Sequence, residues 1–221
     1  MSNDMRRTLI NFFFFQACWF SCVIGAASGA PIFGLLVVMP AVLAHLTLTA
    51  RAGPELALIG ISVLLGLAFD SLIVGSGWIR YPSGTFATGV APYWILGIWA
   101  IFATILNTSM KWLKGRPLLA AAMGAVFGPL SYLAVARLGG VEFLHFEAAI
   151  LLLAVAWAIA LPVLMVAANR FNGISPIESP VNLQLIDSRR RILFYSTTFP
   201  KPGLLLNDQI RGRDLHRPTP N

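Results

Sequence analysis

The sequence predicts an all-α protein, a polytopic membrane bundle of about six transmembrane helices. Of its 221 residues, 57% are hydrophobic and only 11% are charged, whereas soluble domains carry roughly 25% charged residues. So few charges cannot cover the surface of a soluble protein of this length, but lipid accepts an apolar exterior. The apolar runs are continuous, which excludes the alternating strand pattern of an outer-membrane barrel.

Glycine and proline divide the apolar stretches into helices. No charged residue occurs from Thr8 to Ala50, and this stretch is too long for one span of roughly 20 residues. Gly29 and Pro31 predict a break near its middle. The predicted helices are Phe12–Ser28, Ile32–Thr49, Glu55–Gly75, Pro92–Trp112, Pro117–Ala136 and Phe146–Asn169.

The positions of Lys and Arg predict the orientation of the chain. Fourteen of the sixteen basic residues lie on the side of the two termini, whereas Arg80 and Arg137 lie on the opposite side. Because cytoplasmic loops carry the excess of basic residues, both termini are predicted to be cytoplasmic. Trp78, Tyr81 and Tyr93 would then belong to an aromatic belt at the outer interface, together with Trp94.

Three regions follow from this topology. Residues 1–11 form a cytoplasmic N-terminus, residues 12–169 a six-helix transmembrane domain, and residues 170–221 a basic cytoplasmic tail that we expect to be flexible. A cleaved signal peptide is the competing interpretation of the first helix, because small residues run from Gly25 to Ala30. Pro31, directly after the expected cleavage site, argues against it.

The net charge of +7 does not indicate a nucleic-acid partner, because the basic residues flank the apolar spans. Membrane lipids are the expected partners, and a helix-mediated oligomer or another membrane partner remains open. Glu142, His145 and Glu147 lack the spacing of a zinc motif. We therefore expect no metal and no cofactor.

Three polar residues lie at a similar predicted depth near the cytoplasmic ends of their helices: Gln16, His45 and Asn107. Asn107 also shares one face of the predicted fourth helix with Thr104, Thr108 and Lys111, by i, i+3, i+4 and i+7 spacing. Polar groups in hydrocarbon are costly, so they are expected to turn inward. One interpretation is a ligand-binding pocket open to the cytoplasm. The other is hydrogen bonding between helices.

Asp70 is the only acidic residue well inside a predicted span, and Arg137 lies at a comparable depth. A carboxylate and a guanidinium in a poorly solvated place are expected to pair. Such a pair would either join two helices or form part of a ligand-binding site. Both residues are therefore candidate site residues.

Small residues recur at a spacing of four, which allows helix backbones to approach closely. The pairs are Gly25 with Gly29, Ser62 with Gly66, and Gly124 with Gly128. Pro129, directly after the last pair, is expected to kink the fifth helix.

Several runs of polar and aromatic residues resemble those of a known family. They are Asn11 to Trp19, Asp70 to Leu72, Pro92 to Leu113, Gly128 to Tyr132 and Arg137 to Gly139. Over about Asn11 to Ala168, the sequence resembles a bacterial membrane family called domain of unknown function 2878. The resemblance implies a location in the bacterial cytoplasmic (inner) membrane. It implies no activity.

Three functions remain open from the sequence. The first is a membrane module without enzymatic activity that binds or moves a lipid or small amphiphile. The second is an intramembrane lipid-modifying enzyme, which would need two titratable groups such as His45 and Asp70 at one substrate. The third is a proton-coupled permease for small solutes.

Overall fold

Six α-helices form most of residues 3–174 in this computed structural model, which also describes residues 185–186 and 192–193. They are α1 (Asn3–Ala27), α2 (Ile32–Leu48), α3 (Ala52–Gly75), α4 (Tyr93–Leu106), α5 (Pro117–Arg137) and α6 (Phe146–Arg170). The predicted all-α class is confirmed. The breaks at Gly29 and Pro31 also lie where the sequence predicts them, between α1 and α2.

Four helices are long and apolar enough to cross a membrane. These segments are Thr8–Ala27, Ala52–Gly75, Pro117–Arg137 and Phe146–Arg170. The helices α2 and α4 have only 17 and 14 residues, fewer than the roughly 20 that a full span requires.

Burial in this bundle is the reverse of that in a soluble protein. Large apolar side chains are exposed along the helices, as shown by Leu72 at 74% and Leu151 at 67%. The acidic side chains of Glu55 and Asp70 are fully buried. Large apolar surfaces usually mark contact with a partner or a membrane, and the four long apolar helices suggest a membrane.

The helices alternate in direction, so the bundle has two ends. At the first, the strand end, β1 (Ile79–Arg80) pairs antiparallel with β2 (Glu142–Phe143). At the second, the terminal end, α1 begins and α6 ends. There the backbone N–H of Arg51 donates to the carbonyl of Gly173, which joins the α2–α3 loop to the chain after α6.

Two of the three predicted small-residue pairs bring helices into close contact. A Cβ atom built on Gly124 would lie 2.1 Å from the carbonyl oxygen of Trp157. A Cβ atom built on Gly128 would lie 2.3 Å from the indole ring of Trp157. This is where α5 packs on α6. The hydroxyl of Ser62 donates to the carbonyl of Trp99 at 2.8 Å, and a Cβ on Gly66 would meet the Trp99 ring. This is where α3 packs on α4.

The third pair acts differently. Gly25 faces the start of α2, with Ala30 and Gly34 nearby, but Gly29 has no atom near its Cβ position and a φ of +74°. Gly29 therefore supplies the left-handed conformation that ends α1, which glycine adopts without strain.

The fourth helix ends six residues earlier than predicted, at Leu106. Asn107 and Thr108 lie in the turn that follows, and Lys111 belongs to a short 3₁₀ helix, Lys111–Leu113. The predicted polar face of four residues on one helix is therefore wrong. The cause is tertiary, because the side chains of Asn107 and Thr108 bond to Glu55 of α3 and Asn11 of α1.

The segment between α3 and α4 packs into the strand end. The Ser83 hydroxyl donates to the carbonyl of Ala26 at 2.7 Å, and the indole N–H of Trp94 donates to the carbonyl of Ser83 at 3.1 Å. Tyr81 and Trp94 are buried. The predicted aromatic belt is therefore wrong for these two residues, because their polar atoms find partners inside the protein.

The predicted tail lies largely outside the described residues. Beyond Ile174, two short strands are described, β3 (Leu185–Ile186) and β4 (Ile192–Leu193). They pair antiparallel, with Leu185 opposite Leu193. These strands belong to the unit Ile177–Asn221, and the six helices belong to the unit Met1–Pro176.

Candidate functional site

A cavity of about 730 Å³ lies among α1, α4, α5 and α6. Ligand pockets commonly measure about 300–1,000 Å³. Its walls are mainly apolar, with polar side chains at intervals: Gln16, Ser109, Ser131, Tyr81 and Tyr132. This chemistry suits a ligand with a long apolar part.

The cavity opens sideways between α1 and α5. Phe12 and Phe20 of α1 and Phe127 and Leu130 of α5 line it, and each of them is at least 43% exposed. Lining residues that also reach the outer surface mark an opening. A ligand could therefore enter from whatever surrounds the bundle.

Stacked aromatic rings form one wall. The rings of Trp99 and Trp157 stack with centroids 4.9 Å apart and planes 8° apart. Phe69 and Phe102 contact both indoles edge to face. The glycines at 66 and 128 leave room for these indoles. The indole N–H of Trp157 is the one buried polar side-chain atom among the described residues that has no hydrogen-bond partner.

Asp70 lies behind this wall and accepts hydrogen bonds from three side chains. The Tyr81 hydroxyl donates to Oδ1 at 2.8 Å, and the Trp99 indole donates to Oδ2 at 2.7 Å. The Tyr132 hydroxyl also donates to Oδ1. All three donors line the cavity. The carboxylate is therefore connected to the cavity wall through neutral donors.

The expected ion pair between Asp70 and Arg137 is not formed. Asp70 is fully buried, and within residues 3–174 no basic side chain lies within salt-bridge distance of it. Arg137 is the last residue of α5 and is exposed. The comparable depth of Asp70 and Arg137 in the sequence does not determine which way each side chain faces around its helix. Arg137 does not line the cavity.

Tyr81 lies outside the long apolar helices and stays protonated. Burial is the main cause that raises the pKa of Tyr81 well above its ordinary value, and the charge of Asp70 raises the pKa further. A protonated hydroxyl can donate to the carboxylate. Tyr81 thus serves as a donor rather than as a base.

A second polar cluster lies at the terminal end around Glu55. His45 Nε2 is 2.9 Å from Oε2 of Glu55, and Asn107 Nδ2 donates to Oε1 at 2.7 Å. The backbone N–H of Gly173 donates to Oε1 at 2.8 Å. One buried carboxylate therefore joins α2, α3, the end of α4 and the chain after α6.

Lys114 completes this cluster. Its ammonium group donates to Oδ1 of Asn107 and to the carbonyl of Ala168. Partial burial lowers the pKa of Lys114, and the charge of Glu55 opposes this shift. Asn107 thus bridges a carboxylate and an ammonium, which is a structural use of its amide.

The five predicted site residues fall in four places. His45 and Asn107 meet at Glu55, and Gln16 lies in the cavity wall. Asp70 lies behind that wall, and Arg137 is exposed at the end of α5. Asp70 is 15 residues after Glu55 on α3, which corresponds to about 22 Å along the axis. His45 and Asp70 therefore lie at opposite ends of the bundle and share no cavity.

The sequence profile of a family described as Protein of unknown function (DUF2878) matches residues 8–163. The chain belongs to this family. The resemblance noted in the sequence is thereby confirmed. No curated protein and no solved structure matches the chain.

The matched region covers both polar arrangements almost completely. Asp70, its three donors and the cavity walls lie inside the DUF2878 match, as do His45, Glu55 and Asn107. Gly173 lies beyond it. The description of the DUF2878 family names no activity, so function has to be argued from the cavity.

Sequence reasoning missed the aromatic part of the site. The sequence pattern places Tyr81 at the outer interface and indicates no role for Trp99, Tyr132 or Trp157. The available signal was Asp70 itself, because a carboxylate in a span requires donors. Trp99 and Tyr132 can both donate, and both lie in the runs that resemble the family.

Proposed function

We propose that this protein binds a lipid or small amphiphile in the lateral cavity and helps to move it within the membrane. One observation carries the proposal: an apolar cavity of about 730 Å³ opens through the exposed lining residues of α1 and α5. A chain that leaves the bilayer could enter there without crossing water.

The other candidate functions receive less support from the geometry. An enzyme that uses His45 and Asp70 together would need both at one substrate, but they lie at opposite ends of α3. His45 is also held by Glu55 rather than directed into the cavity. A permease would need a polar path, whereas the walls of this cavity are mostly apolar.

Filling the cavity is expected to weaken binding. In Ala134→Phe, a ring would enter the cavity from α5, because Ala134 is an exposed lining residue. We expect the affinity for a fluorescent fatty-acyl probe to fall by at least about tenfold, or about 1.4 kcal/mol. The measurement is probe titration on protein reconstituted in lipid nanodiscs.

The matched control is Ala122→Phe. Ala122 is also exposed on α5 but does not line the cavity, so its replacement should leave the affinity unchanged. Equal affinity of the two variants for the probe would contradict the proposal. Mass spectrometry of lipids that purify with each variant gives an independent measurement.

We also propose that all six helices cross the cytoplasmic membrane of a bacterium with both termini inside. The unequal distribution of basic residues supports this orientation. A fluorescent-protein fusion to the C-terminus should fluoresce, and an alkaline phosphatase fusion there should be inactive. An active phosphatase fusion would place the C-terminus outside the cytoplasm and would contradict the proposed orientation.

A further inference from the structure

We infer that the amphiphile bound in this cavity carries a positively charged ammonium group. This inference rests on the proposed binding function and names the chemistry of the ligand's head. The ammonium group is selected by the wall formed by Tyr81, Trp99 and Tyr132. Asp70 lies directly behind this wall.

The first argument is the charge around the cavity. None of the 25 lining residues is Lys, Arg, His, Asp or Glu. The carboxylate of Asp70 lies one hydrogen bond behind the wall. Because no basic group among the described residues pairs with it, its charge attracts a cation and repels an anion.

The second argument is the state of Asp70. Each of its three hydrogen bonds comes from a donor, two hydroxyls and one indole N–H. A carboxylate that only accepts hydrogen bonds is the form that suits three donors. These three hydrogen bonds therefore favour the ionised side chain and oppose the effect of burial on it.

The third argument is the aromatic wall. Eleven of the 25 lining residues are aromatic, and they include Trp19 and Trp112, which lie outside the stacked pair of Trp99 and Trp157. Ring faces attract cations through their quadrupole, most strongly in Trp, and ammonium ligands are bound in aromatic cages for this reason. An anionic head would find no basic donor there.

The test compares two probes with the same alkyl chain. Dodecyltrimethylammonium and dodecanoate would each compete with the fluorescent fatty-acyl probe for protein in nanodiscs of zwitterionic lipid. We expect the ammonium probe to compete at a concentration at least about tenfold lower. In Asp70→Asn the preference for the ammonium probe should shrink to about threefold or less, because the carboxylate charge is gone and only the attraction of the aromatic rings remains.

The control is Glu147→Gln, which removes one negative charge from an exposed residue at the start of α6. The Glu147→Gln variant should keep the preference for the ammonium probe over dodecanoate. Equal competition by both probes on the unmodified protein would overturn the inference while leaving amphiphile binding intact. If neither probe competes, the proposed binding function fails as well. The comparison on the unmodified protein decides the matter even if Asp70→Asn does not fold.

Discussion

Replacing Gly124 with alanine is expected to destabilise the bundle strongly. The new Cβ would lie 2.1 Å from the carbonyl oxygen of Trp157 and 2.7 Å from its carbonyl carbon. Both are backbone atoms, so no side-chain rotation can relieve the clash, and α5 must move away from α6. We expect a loss of about 2–3 kcal/mol, visible as a drop in Tm of roughly 10 °C in detergent.

The same substitution at Gly60 is the control. Gly60 lies in α3, and a Cβ there meets no atom within 4 Å. Alanine has the higher helix propensity, so Gly60→Ala should be neutral or slightly stabilising, by less than about 1 kcal/mol. If Gly124→Ala and Gly60→Ala have the same Tm, the close approach of α5 and α6 is not what stabilises this part of the bundle.

Replacing Glu55 with leucine is expected to disrupt the terminal end. His45, Asn107 and the N–H of Gly173 would lose their shared acceptor in a buried place. Breaking a buried charged network in this way typically costs about 3–5 kcal/mol. Thermal melting followed by size-exclusion chromatography should show early unfolding or aggregation.

Glu147→Leu provides the comparison, because Glu147 is likewise acidic and in the first turn of a helix. Glu147 is exposed, so its loss should change the Tm little. Glu55→Gln should fall between the two, since its amide oxygen keeps an acceptor while the charge is lost. A Glu55→Leu protein as stable as Glu147→Leu would show that the network contributes little.

The helices could be predicted because hydrocarbon imposes a simple rule on sequence. Long apolar runs with glycine and proline between them identify helices, and four of the six begin and end within about three residues of prediction. The exceptions are α1, which begins nine residues earlier than predicted, at Asn3, and α4, which ends six residues earlier, at Leu106. The end of α4 could not be predicted in this way. Asn107 and Thr108 are neither glycine nor proline, so no helix-breaking residue marks this end. They lie outside the helix because their side chains bond to residues on other elements.

The candidate site was only partly predictable. The cost of a buried carboxylate correctly marked Asp70 as a residue that needs partners. The sequence does not state which residues face it, and three neutral donors took the place expected for Arg137. For the same reason the sequence does not show that Glu55, the first residue of the predicted third helix, is the centre of the second cluster.

The shortness of α2 has a consequence for the surrounding bilayer. Its 17 residues extend about 26 Å, against a hydrocarbon thickness of about 30 Å, and side chains such as Leu36 and Leu43 are exposed along it. Hydrophobic mismatch of this kind is relieved when lipids thin beside the short element. Because α2 packs on α1, which lines the mouth of the cavity, thinning there would bring head groups and water nearer to that mouth. An amphiphile entering between α1 and α5 would then travel a shorter distance through hydrocarbon.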